Sequence, residues 1–154
     1  MKTVEINLEP QFWRPTIRLY GKLTLIDTGA VVPVISMEKE LLNLRFKAKL
    51  VKERTFFTGF GGVKNWGDVY SLSNFYIHEL HFKTLECFAP YEFDKDFPII
   101  LSAPLFNDVK YEIDPKENKV TLKVPNDKLM NNEFLITNLS DKICVQMNGV
   151  MLNG

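Results

Sequence analysis

Apolar and polar residues alternate with a period of two along much of the chain. Val4, Ile6 and Leu8 stand among polar neighbours, which predicts a half-buried strand over residues 3–8. Gln11 to Pro15 break the pattern. It resumes in Ile17 and Leu19, then in Leu23, Leu25 and Ile26 beyond Tyr20-Gly21-Lys22, and so predicts a hairpin. Val31 to Ile35 is β-branched apart from Pro33 and reads as a short extended segment running back into the core. Two more strands are predicted at about 47–58 and 63–77, joined by Gly59-Phe60-Gly61-Gly62, and another through Phe82, Leu85, Cys87 and Phe88. Phe97-Pro98-Ile99-Ile100-Leu101 is a continuous apolar run of the kind carried by a strand buried on both faces. Tyr111 to Ile113 and Lys119 to Val124, on either side of Asp114 to Asn118, form a plain hairpin by turn chemistry.

Helical spacing interrupts this pattern twice. Ser36 suits an N-cap, Met37, Leu41, Leu42 and Leu44 follow at helical intervals, and Glu38 and Glu40 fall where the helix dipole favours acids, so residues 37–44 predict a short helix. Ser102-Ala103-Pro104 opens a second, reaching about Val109. His78-Glu79-Leu80-His81 reads as a turn whose two histidines face solvent, since no third metal ligand accompanies them. Residues 125–132 are polar enough for a linker. Beyond it, 134–137 and 143–147 predict two strands across Ser140-Asp141-Lys142. The fold class is all-β.

Composition narrows the functional classes. The chain has 154 residues, 45% hydrophobic and 25% charged, which suits one domain able to bury a core without disulfides. Nineteen basic residues balance nineteen acidic ones, and no basic cluster alternates with aromatics, which argues against a nucleic-acid partner. Cys87 and Cys144 lack the paired spacing of a zinc or redox motif and are expected to be free thiols. No segment has the length of a signal peptide core or a membrane span, so no membrane association and a cytoplasmic location are expected.

Chemistry concentrates at Leu25-Ile26-Asp27-Thr28-Gly29-Ala30. A carboxylate between two buried stretches is costly unless something pairs with it or uses it. Asp27 therefore reads as half of a catalytic pair, beside the plainer reading of Asp-Thr-Gly as a structural turn. Gly59-Phe60-Gly61-Gly62 has three glycines in four residues, which permits a tight hairpin tip of flap type. A phosphate-binding loop is a poor alternative, because no helix pattern follows and the lysine spacing does not match.

The order of strand, Asp27-Thr28-Gly29-Ala30, apolar segment, short helix, glycine-tipped hairpin and Ile99-Ile100-Leu101 resembles the retropepsin-like aspartic proteases over roughly residues 3–124. The resemblance implies a closed β-barrel with one or two short helices and a flap, a domain over 1–124, and a C-terminal extension over 125–154. That extension is expected to form a β-hairpin packing on the domain or on a dimer interface. It further implies a homodimer acting on polypeptide substrates, with Asp27, Thr28 and Gly29 of each subunit in the catalytic loop. Ala30, Gly59, Phe60, Gly61 and Gly62 would contact substrate. Neither metal nor organic cofactor is implied, since the nucleophile is water activated by carboxylate. Two places depart from the family pattern. Ser102 and Pro104 stand where glycine and an aspartate or asparagine are usual, and Val31 and Val32 where viral members often carry acids. A non-catalytic dimerising and peptide-binding module of the same fold is the alternative implied.

Overall fold

The computed structural model describes residues 2–12, 14–27, 32–59, 63–102, 110–124, 130–132, 145–147 and 150–153. Strand β1 (Lys2–Asn7) turns Val4 and Ile6 inward and leaves Glu5 exposed, as its alternation requires. It pairs antiparallel with β10 (Lys119–Val124), setting Val4 beside Leu122 and Ile6 beside Val120, and β10 pairs in turn with β9 (Lys110–Asp114). These three strands form a small sheet. Its hairpin turn is held by the Asp114 carboxylate, which accepts from the N–H groups of Lys116 and Glu117.

The large sheet begins with the hairpin of β2 (Thr16–Leu19) and β3 (Lys22–Asp27). Tyr20 and Gly21 close it with φ of 53° and 72°, the left-handed pair that a two-residue hairpin loop needs. Tyr20 tolerates this because its ring packs against Phe46 and Phe75, while its hydroxyl accepts from the Tyr76 N–H at 2.8 Å. There follow β4 (Val34–Ile35), α1 (Lys39–Phe46), β5 (Lys49–Gly59), β6 (Lys64–Ile77), β7 (Leu80–Pro90) and β8 (Ile99–Ser102). From the C-terminal part come β11 (Met130–Asn132), β12 (Val145–Met147) and β13 (Val150–Asn153). The spatial order is β12-β13-β5-β6-β7-β4-β8-β3-β2, with β11 parallel to β7.

The chain is thus mainly β, but its described sheets are open, and the closed barrel of the sequence reading is corrected. Closure needs a continuous ladder, and β1 pairs with β10 rather than extending the β2 edge. Between β1 and β2, among the described residues, the backbone link is the bond from Glu9 N–H to the Thr16 carbonyl, within a segment that contains Pro10 and Pro15. Proline supplies no ladder donor. The two sheets nevertheless share one core: Val4, Ile6, Val120 and Leu122 pack in a cluster with Ile26, Ile35, Leu42, Phe46, Ile99 and Leu101.

Other expectations shift. The helix runs two residues later than 37–44, with Glu38 in the N-cap position and Lys47 closing it in a left-handed conformation. Ser36 does not cap it; its hydroxyl accepts from the Asp94 N–H instead. Leu42 and Phe46 are the helix residues that reach the core, while Leu44 is 81% exposed. Residues 130–132 of the expected linker are a strand. His78 lies in the β6–β7 turn, but His81 belongs to β7, stacked on Tyr76 and bonded to Asn74. The second helix expected at 103–109 and the strand at 134–137 lie outside the described residues. Among the described residues no helix is long and apolar enough to cross a membrane.

Candidate active site

Strands β3 and β8 are parallel, so their carboxyl ends meet at one edge, where the last paired residues are Asp27 and Ser102. Strand β4 lies antiparallel on the far side of β8, with Val34 beside Ile100. Strand β8 thus lies between β3 and β4 in the sheet. In open α/β sheets a ligand crevice lies beyond the carboxyl ends of parallel strands, and the paired ends of β3 and β8 form the corresponding edge here, where a crevice would open.

Register decides which side chains share that crevice. On β8, Ile99 and Leu101 enter the main core, so Ile100 and Ser102 point to the other face. The ladders carry this face sideways: Asp27 is beside Ser102, Leu25 and Val34 are beside Ile100, and Phe88 is beside Val34. None of these belongs to the main core cluster. A second layer, in which the Phe88 ring stands 4.3 Å from that of Phe57, thus lies on the face that carries Asp27. It borders a cavity of about 170 Å³ floored by Val34, Phe57, Phe88 and Ile100, with Asn65, Glu92 and Asp94 at its rim.

The β5–β6 hairpin contributes Phe57 and Asn65 to this cavity, paired across the two strands, so the hairpin faces the same crevice. Its strands pair as far as Thr58 and Lys64, whereas β7 stops at Pro90 opposite Gly67; the hairpin therefore projects beyond β7. Its base is fixed by Asp68, which accepts from the Arg54 N–H and the Tyr91 hydroxyl. That hydrogen bond, with a lesser part from desolvation, raises the Tyr91 phenol above its usual value of 10.0.

Asp27 is 6% exposed, and its Oδ2 lies 3.5 Å from Nη2 of Arg14. Arg14 stands just ahead of β2, its carbonyl accepting from the Thr16 hydroxyl, and the neighbouring Pro15 carbonyl accepts from the Ile26 N–H. Ser102 is fully buried, and among the described residues its hydroxyl has no hydrogen-bond partner.

Of the residues expected at the site, Asp27 and Gly59 are described. Gly59 ends β5, where its backbone pairs with Val150 of β13. Thr28, Gly29, Ala30, Phe60, Gly61, Gly62 and Pro104 lie outside the described residues. Sequence reasoning missed Arg14, the cavity floor and the acidic rim. For Arg14 a signal existed. The hairpin pairs Thr16 with Leu25, and the same register continued by two residues sets Arg14 opposite Asp27. Among the described residues no group of three or more His, Cys, Asp or Glu is arranged to hold a metal ion. Comparison with family models, curated proteins and solved structures finds no match for this chain.

Proposed function

We propose that the chain is an aspartic-type endopeptidase of the retropepsin-like kind, acting as a homodimer on extended polypeptides. The observation that carries this reading is the buried Asp27 at the carboxyl end of β3, on the sheet face that also bears an apolar cavity beneath the β5–β6 hairpin. One chain supplies one such carboxylate, and hydrolysis by this route needs two that share a proton. A two-fold axis through the Asp27 loops would supply the second. The ionised carboxylate takes a proton from water, whose oxygen adds to the peptide carbonyl carbon. The neutral carboxyl hydrogen-bonds to the carbonyl oxygen, and as the C–N bond breaks the leaving amine takes up a proton. The closed retropepsin barrel is not part of the proposal; what supports the likeness is the order of elements and the place of β8 between β3 and β4.

The test is cleavage of an unstructured protein by the purified chain and by Asp27→Asn. Wild type should cleave, and the variant should lose at least about a thousandfold in rate while keeping its fold and assembly. Cleavage that survives Asp27→Asn would refute the assignment.

The ion pair between Arg14 and Asp27 favours a second reading, in which the carboxylate is structural and the crevice only binds peptide. That reading expects peptide binding with no turnover from about pH 3 to 7, the range in which a shared-proton dyad would be half ionised.

A further inference from the structure

The cavity on the sheet face that carries Asp27 has two chemically distinct zones. Its floor is apolar, made by Val34, Phe57, Phe88 and Ile100 from four different strands. Its rim carries the carboxylates of Glu92 and Asp94, both exposed, with the amide of Asn65. Among the described residues neither carboxylate makes an ion pair. Asp94 is instead fixed by its own loop: its Oδ1 accepts from the N–H groups of Asp96 and Phe97, and its N–H donates to Ser36. Lys64, which lines a neighbouring cavity with Asn65 and Glu92, makes no ion pair with Glu92 among the described residues; its ammonium sits 4.7 Å from the Phe56 ring. The volume, about 170 Å³, is of side-chain scale, below the ~300 Å³ at which whole small-molecule ligands are usually held.

The cavity also lies close to the reacting position. Ile100 is two residues before Ser102 on β8, roughly 7 Å along the strand, and Ser102 is the ladder partner of Asp27. A peptide laid in the crevice with its scissile bond at Asp27 would set a neighbouring side chain over this cavity.

We propose that the cavity is a specificity pocket for a lysine or arginine side chain of the substrate. The aliphatic stem packs on Val34, Phe57, Phe88 and Ile100, and the cationic head meets Glu92 and Asp94. An aliphatic side chain of equal length fills the floor but leaves the two carboxylates without a partner, and an acidic one is repelled. This inference rests on peptide binding in the crevice and deepens the protease reading.

Two measurements separate it from that reading. The first is binding of fluorescent peptides, identical except for lysine, norleucine or glutamate at one position, to the Asp27→Asn protein, which needs no catalysis. The second is kcat/KM for the same peptides with wild type and Glu92→Lys. Lysine should be preferred over norleucine by roughly fivefold at low salt, the preference should shrink as salt rises, and Glu92→Lys should reverse it toward glutamate. Turnover without discrimination among the three peptides, at every position tried, overturns the pocket while leaving the protease intact. Selective binding of lysine peptides without turnover supports the pocket and removes the protease. Absence of both binding and turnover overturns both. Glu92 is exposed, so its substitution leaves the fold in place, and Glu92→Gln, expected to weaken the preference without reversing it, serves as the conservative control.

Discussion

Ser102 buries a hydroxyl at the ladder position directly beside Asp27, and among the described residues that hydroxyl has no partner. A buried polar group left unsatisfied costs about 1–3 kcal/mol, whereas the methyl of alanine at the same place costs nothing of this kind. Ser102→Ala should therefore raise stability by about 1 kcal/mol, read as a higher urea midpoint at unchanged m-value. A loss of similar size would reveal a partner for the hydroxyl and overturn the expectation. Cys87 makes a different demand. It is fully buried in β7, and desolvation, reinforced by the nearby Glu86 charge, pushes its thiol far above the ordinary 9.0. Above that value the unfolded chain releases a proton that the folded chain keeps, so the unfolded state binds fewer protons and stability falls as pH rises. Tyr20, raised chiefly by burial, acts in the same sense above 10.0. Between about pH 9 and 10, Cys87→Val should lose stability less steeply than wild type, by up to about 1.4 kcal/mol per pH unit. Identical slopes would mean that Cys87 is open to solvent in the folded chain.

Among the elements, the β5–β6 hairpin carries the narrowest tolerance. At Gly67, where β6 leaves the end of β7, an added Cβ would sit 2.3 Å from the Ala89 carbonyl oxygen and 2.7 Å from the Phe88 ring. A backbone oxygen cannot swing aside as the end of a long side chain can, so the two strands must separate. Gly67→Ala should cost about 2 kcal/mol by denaturation and disturb Phe88, which floors the cavity. Unchanged stability would contradict this close approach. Strands of this kind are the most legible part of the chain, because a period of two survives wherever one face meets the core. Strands β5, β6, β9 and β10 fall within about two residues of the limits read from alternation. The helix was displaced because Leu41 and Leu44, which fit helical spacing, face solvent, while Phe46 supplies the inner contact. Ser36 resembled a cap but was claimed by Asp94, 58 residues away, a partner that local spacing does not reveal. Residues 130–132, Met-Asn-Asn, carry a single apolar residue and pair through backbone with β7, so a hydrophobic pattern has too little there to detect.

At the scale of the molecule, alternation reports which face of a strand is buried but not which strands become neighbours. That is why a closed barrel could be expected from the order of elements and an open sheet found. The same limit hid the crevice, since Val34, Phe57, Phe88 and Ile100 are scattered over 67 positions and meet only through the ladders of β4, β5, β7 and β8. Asp27 was legible because a carboxylate ending an apolar strand is conspicuous within a few residues. Its proposed counterpart is a second Asp27, and that requirement has a quantitative consequence for mixtures. Wild type and Asp27→Asn chains differ by one isosteric group at a buried position and should assort at random. If hydrolysis needs two ionisable carboxylates, only dimers of two wild-type chains turn over, and their share is the square of the wild-type fraction. At constant total concentration, an equal mixture equilibrated long enough to exchange subunits should show about a quarter of the activity of pure wild type. A shared site also requires that specific activity fall on dilution, as dimers dissociate. A linear decline, leaving about half the activity in the equal mixture, would mean that each chain works alone, and the two-fold Asp27 dyad would then have to be abandoned.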